Sequence, residues 1–182
     1  DLVFHLAALP RIQPSFKDPL STFKTNVEGT IRILDYCKEK VTPIVYAGSS
    51  STHGGVFKNP YTFTKWQGEE LCKLYSSLYS LPISICRFYN VYGPYHLTEG
   101  EYCTVIGIFE QQMKNNHPLT ITGDGEQRRD FTHVYDIVDG LIKCRINLIS
   151  EDNSNTNGQI FEFGRGINYS INDVANMFGG VK

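Results

Sequence analysis

Short apolar runs alternate with longer stretches of helical period in the first half of the chain. Residues 2–8 form a short apolar run that reads as a buried strand. Across residues 20–40 the apolar positions Phe23, Val27, Ile31, Leu34 and Cys37 recur at helical spacing and predict one long helix. Residues 44–47 read as a second buried strand, 61–80 as a second long helix and 83–88 as a third strand. Continuous apolar strands separated by helices predict an α/β fold with a parallel sheet covered on both faces.

The second half is less regular. Residues 102–116 look helical, and 119–122 read as a short strand before the turn Gly123-Asp124-Gly125. Residues 131–134 predict a strand, 136–148 a helix, and 160–163 a further strand, with a last helix starting near Ser170. The stretch 150–158 is polar and rich in Asn, as in a surface loop.

Composition narrows the function classes. The formal net charge is −2 over 182 residues, which gives no reason to expect nucleic acid or an anionic membrane as a partner. No apolar run approaches the roughly 20 residues that a membrane helix needs. The five cysteines are scattered without a Cys-x-x-Cys pair, which predicts reduced thiols in a cytoplasmic protein. The five histidines are dispersed, so no metal site is expected.

Tyr61 and Lys65 carry the candidate chemistry. Four apart on a helix, they share one face. An ammonium beside a phenol favours the phenolate and lowers its pKa, so that the phenol takes a proton from a hydroxyl and returns it. They follow the cluster Ser49-Ser50-Ser51-Thr52, which closes the second strand. Strand alternation puts Ser50 and Thr52 on one face and Ser49 and Ser51 on the other, which selects Ser50 to hold the substrate oxygen and Thr52 to assist. A serine hydrolase is a poor fit, because Gly48-Ser49-Ser50-Ser51-Thr52 lacks the final glycine of Gly-x-Ser-x-Gly.

Together with these residues, further motifs resemble one family. They are His5-Leu6-Ala7-Ala8, Asn26-Val27-Glu28-Gly29-Thr30, the run from Arg87 through Asn90 to Pro94, and Gly123-Asp124-Gly125 followed by Arg128-Arg129-Asp130-Phe131. In this order they resemble the extended short-chain dehydrogenase/reductases, in particular the nucleotide-sugar epimerases. The resemblance implies the C-terminal part of a Rossmann-like sheet over residues 1–90. A smaller α/β substrate-binding region over 91–182 is implied to interleave with it. It implies NAD as cofactor, near His5, Ala7, Ala8, Asn26 and Lys65, with Lys65 on the ribose hydroxyls. It also implies a nucleotide-diphosphate sugar, for example a UDP-sugar, held by Ser50, Thr52, Asn90 and Arg129, and a homodimer built on the two long helices.

Two departures accompany the resemblance. The glycine-rich dinucleotide loop is absent and the C-terminal segment is cut short, which reads as a fragment of a longer protein. The stretch from Ser50 to Tyr61 is also shorter than the family's, which implies a more open roof over the site. Relatives that dehydrate or decarboxylate place a carboxylate directly after the active-site hydroxyl residue. Here Ser51 and Thr52 follow Ser50, which points to epimerisation at C4 through a transient 4-keto sugar. A 4,6-dehydratase, a 4-keto reductase and a non-catalytic nucleotide-sugar or dinucleotide binder are the alternatives.

Overall fold

The structure, a computed structural model, describes residues 1–150 and 157–179. Most of the expected polar loop at 150–158 thus lies outside the described residues. The chain divides into two compact units, one of residues 1–88 and 138–163, the other of residues 89–137 and 164–182.

The first unit is built on four parallel strands: β1 (Val3–His5), β2 (Ile44–Ser49), β3 (Ile83–Phe88) and β6 (Ile160–Phe163), adjacent in that order. The three strands predicted first are parallel, with His5 opposite Tyr46 and Tyr46 opposite Ile85. Every residue of β2 is buried, as a strand covered on both faces requires. One face carries Ile44, Tyr46, Ile83 and Ile85. They pack with Leu34 and Cys37 of α3 (Gly29–Lys40) and with Cys72 and Tyr75 of α4 (Pro60–Tyr79). On the other face Cys86 Sγ lies 3.6 Å from Cys144 Sγ of α6 (Val134–Ile149).

The helix expected over 20–40 is interrupted. After α1 (Ile12–Lys17), α2 (Pro19–Phe23) passes into a π-helical turn, Lys24–Glu28, before α3 begins. Asp18 starts α2 by accepting the Ser21 N–H. The π turn has its only buried side chain at Asn26, whose partners belong to the site. By contrast α4 is one uninterrupted helix, opened by Asn59 and Pro60.

The second unit holds β4 (Asn90–Tyr92), β5 (Arg128–His133) and β7 (Asn168–Ser170), with β5 central. β4 is parallel to β5 and β7 antiparallel to it. Phe109 of α5 (Val105–Lys114) packs with Leu119, Phe131, and Ile171 and Val174 of α7 (Ile171–Met177). A capping box between Ser170 and Asp173 opens α7. The strand expected at 119–122 does not form. Gln112 of α5 supplies the hydrogen bonds instead, accepting the Thr120 N–H at 3.1 Å and donating to Thr120 Oγ1 at 2.7 Å. The strands β4 and β7 are too short to leave a periodic signal.

Val41 ends α3 in the left-handed conformation, with φ 50°, although it is β-branched and exposed. Glycine adopts that conformation without a clash at Cβ. Val41→Gly is expected to stabilise the fold by about 1 kcal/mol, read as a higher midpoint in urea unfolding. A lower midpoint would contradict the strain assigned to this cap.

Candidate active site

The link between β2 and α4 decides which hydroxyls meet. β2 stops at Ser49, and the chain then curls through two 3-10 turns, Ser50–Gly54 and Val56–Lys58. Asn59 Oδ1 accepts the Thr62 N–H at 2.8 Å, and Tyr61 donates its own N–H to Ser15 Oγ at 3.1 Å. These bonds fix the first turn of α4.

The Tyr61 hydroxyl donates to Ser49 Oγ at 3.2 Å. The expectation that Ser50 faces the tyrosine is therefore corrected. Alternation holds only while the chain is a strand, and Ser50 already belongs to the turn. Ser49 caps that turn, accepting the Ser51 N–H at 3.3 Å and lying 2.9 Å from Ser51 Oγ. Ser49, Ser51 and Tyr61 thus form one connected set of hydroxyls, and Ser50 stands outside it. Thr52 Oγ1 donates back to the Ser49 carbonyl at 3.0 Å.

Lys65 is buried under the end of β2. Its ammonium donates to the Ala47 carbonyl and lies 4.5 Å above the Tyr46 ring. Burial lowers its pKa to about 8, against the opposing pull of Cys72 and Glu69. The phenol of Tyr61 is not lowered as the Tyr–Lys spacing suggests. Burial raises it, and the opposing influences are the Ser49 hydrogen bond and Arg11.

Glu69, one turn beyond Lys65, was not singled out by the sequence. Its helical offset of four from Lys65 is the signal that would have pointed to it. It is wholly buried, and both its oxygens accept Arg87 Nε at 3.1 Å, while Oε2 also accepts Nη2 at 2.7 Å. Arg87 Nη1 continues to Glu162 Oε1 at 3.0 Å, where His53 Nε2 also lies at 3.0 Å. The two ion pairs raise the Arg87 pKa above its ordinary value.

The residues expected near the cofactor divide into two kinds. His5 is buried, with Nε2 2.9 Å from Thr30 Oγ1. Burial, with Lys65 adding to it, lowers its pKa from 6.5 to about 4, so it is neutral at pH 7. Asn26 works as a clamp: its Oδ1 accepts the Leu9 N–H at 2.8 Å, and its Nδ2 donates to the Leu9 carbonyl at 3.2 Å and to Thr64 Oγ1 at 3.1 Å. It ties the segment after β1 to the turn of α4 that carries Lys65. Ala7 is exposed and Ala8 half-buried. Parallel sheets take ligands beyond the carboxyl ends of their strands. There Ala7 and Ala8 present small side chains and Lys65 an ammonium with three donors, groups whose chemistry suits the ribose and nicotinamide half of a dinucleotide.

Asn90 and Arg129 lie in the second unit. Asn90 Nδ2 donates to the Asp130 carbonyl at 2.9 Å and joins β4 to β5. Arg129 is exposed and donates to the neighbouring Arg128 carbonyl at 2.8 Å. Asp130 instead accepts the N–H groups of Arg165 and Gly166, at 3.1 and 2.8 Å. Among the described residues no cluster of His, Cys, Asp or Glu is suited to a metal ion, and no helix is long and apolar enough to cross a membrane.

A Rossmann-like parallel sheet carries Ser49, Tyr61 and Lys65 at or near its carboxyl edge. The chain belongs to the NAD dependent epimerase/dehydratase family, whose pattern matches residues 1–153. It is 36% identical to the uncharacterised UDP-glucose epimerase YtcB of Bacillus subtilis, over 78% of this chain and 48% of that protein. A putative UDP-glucose 4-epimerase of Methanocaldococcus jannaschii is 34% identical over 96% of this chain and 58% of its own length. Among solved structures, the UDP-glucuronic acid 4-epimerase of Bacillus cereus, in complex with UDP-glucuronic acid and NAD, superposes with a TM-score of 0.83. It is 31% identical, over 98% of this chain and 58% of that one. The chain spans about half the length of the curated relatives it matches.

The buried His5 makes stability depend on pH. Its pKa is about 4 in the fold against 6.5 ordinarily, so between these values the unfolded chain binds a proton that the folded chain does not. Stability is therefore lost as pH falls from about 6.5 to about 4, by up to roughly 3 kcal/mol. His5→Gln is expected to flatten unfolding free energy over that window. An equal slope in both proteins would remove His5 as its source.

Proposed function

We propose that this chain carries the catalytic groups of an NAD-dependent nucleotide-sugar 4-epimerase, of the kind that acts on UDP-sugars. The observation that carries the reading is the Tyr61 hydroxyl on Ser49 Oγ, with Lys65 one helical turn away. Ser49 holds the C4 oxygen of the sugar. Tyr61, as the phenolate, takes the proton from that oxygen and later returns it. Lys65 offers its ammonium to the ribose hydroxyls of the dinucleotide. NAD, when bound, supplies the oxidation and reduction at C4. Ala7 and Ala8 flank its place beyond β1, and Arg129 in the second unit carries a guanidinium suited to a diphosphate.

The absence of an acid beside the serine supports epimerisation over the alternatives. With Ser49 as the hydroxyl residue, Ser50 and Ser51 follow it, and neither titrates usefully. Removal of the C5 proton and of the C6 hydroxyl, which dehydration needs, has no second carboxylate here to perform it. The names of the relatives support the same substrate class.

The test uses the chain in its family-length context, with UDP-glucose, UDP-glucuronic acid and UDP-N-acetylglucosamine, following inversion at C4. Tyr61→Phe is expected to lower turnover by about 10²–10⁴-fold with little change in KM. Ser49→Ala is expected to cost more than Ser50→Ala. Full activity in Tyr61→Phe overturns the mechanism, and a stable 4-keto-6-deoxy product would mean a dehydratase.

We also propose a homodimer through α3 and α4, in a reducing, cytoplasmic setting. Tyr36, Leu74, Leu78 and Tyr79 are exposed on these helices, and all five cysteines are free. Tyr75 between them is buried, with its hydroxyl on Asp35 at 2.8 Å. Light scattering at micromolar concentration is expected to give twice the protomer mass; a monomer would contradict the assignment.

A further inference from the structure

Gly48, the penultimate residue of β2, shows how closely a charged pair is fitted against the site. A Cβ on it would lie 2.7 Å from Glu69 Oε1 and 3.1 Å from Arg87 Cγ, so the pair fills the space a side chain would take. Glu69 Oε1 accepts the backbone N–H of the next residue, Ser49, in a long hydrogen bond of 3.4 Å. The same carboxylate lies on the Lys65 face of α4, one turn on. We infer that Glu69, held by Arg87, is a positioning residue: it fixes the Ser49 backbone at the end of β2 and sets a negative charge behind Lys65. This rests on the reading of Ser49, Tyr61 and Lys65 as catalytic.

The physical case lies in what the pair costs and what its shape provides. A carboxylate removed from water is strongly penalised unless it is paired and hydrogen-bonded. Arg87 repays this with a fork on both oxygens, which also fixes the plane of the carboxylate. One lone pair of that fixed plane is aimed at the Ser49 N–H. The Ser49 side chain follows its own backbone, and its Oγ serves both Tyr61 and Ser51. A shift of the strand end would therefore move the hydroxyl that Tyr61 meets.

The charge acts in the other direction, on Lys65. The groups facing its ammonium are His5 from β1, Tyr46 and the Ala47 carbonyl from β2, and Glu69 and Cys72 from α4. Arg87 of β3 stands behind Glu69. His5 is neutral at pH 7 and the Cys72 thiol is pushed far up by burial, so Glu69 is the formal negative charge among them. With Cys72, it opposes the desolvation that lowers the Lys65 pKa.

Glu69→Gln keeps the shape and one acceptor oxygen but removes the charge. Two readouts need no substrate: the Lys65 titration, followed by NMR of ε-13C-lysine protein with Lys65→Met for assignment, and hydrogen exchange at the Ser49 amide. In Glu69→Gln the Lys65 midpoint is expected to fall by about one pH unit, and the Ser49 amide to exchange faster. Where activity is measurable, kcat is expected to fall about 10–100-fold with KM nearly unchanged. The double variant Glu69→Gln/Arg87→Met leaves no unpaired buried guanidinium and stands in if the single variant does not fold. It should show the faster Ser49 exchange and a smaller fall of the Lys65 midpoint, because Arg87's positive charge is removed along with Glu69's negative one. An unmoved Lys65 midpoint, or an unmoved Ser49 amide, in a folded variant overturns the inference. An inactive parent protein whose Lys65 and Ser49 respond as stated overturns the epimerase reading and leaves the positioning intact.

Discussion

An ammonium kept out of water is the constraint around which the first unit is arranged. Lys65 reaches the Ala47 carbonyl under the end of β2, so α4 is tied to the strand whose last residue is Ser49. Around the charge stand an aromatic ring and a carboxylate, which lower the cost of holding it there, and a histidine that the same charge helps to keep neutral. The carboxylate in turn requires Arg87, and Arg87 reaches Glu162 on the next strand. The electrostatic demand of one side chain thus extends from β2 through β3 to β6. Desolvation of an unpaired charge costs several kcal/mol, so these partners cannot be removed one at a time without consequence.

Close packing of α4 on β2 follows from the same arrangement. Gly68 of α4 lies against the Tyr46 hydroxyl with no room for a Cβ, and Gly48 of β2 makes way for Glu69. A larger residue at either position would push the helix from the strand and lengthen the reach from Tyr61 to Ser49. Packing and chemistry therefore depend on the same two small residues.

The sheet was legible in the sequence, because a parallel strand buried on both faces leaves a short, nearly continuous apolar run. Ile44 to Ala47 is such a run, Ile83 to Cys86 is broken only by the buried Ser84, and both are strands. Tyr61 and Lys65 were also legible, because a regular helix preserves spacing. The serine was placed one residue off, because its position depends on where a strand ends, and that is decided by Ser49 capping the turn with its own side chain. The tuning of Tyr61 was misjudged for a related reason. Spacing tells which face a lysine shares, not how deeply the tyrosine beside it is buried or which carbonyl accepts the lysine's hydrogen bond. The missing strand at 119–122 was lost to a side chain, Gln112, that offers the backbone the bonds a neighbouring strand would give.

The π turn at Lys24–Glu28 has a consequence of another kind. Such a turn holds one residue more than a regular helix would, and turns of this sort gather at functional places. Here the surplus residue sets the phase at which Asn26 meets both Leu9 and Thr64. Chain length between Phe23 and Gly29 is therefore under a constraint that composition does not reveal. Many side chains would serve at Lys24 or Thr25, but a variant shorter by one residue would restore regular helix and rotate Asn26 away. Insertions and deletions, more than substitutions, are what this segment of the molecule is unable to absorb.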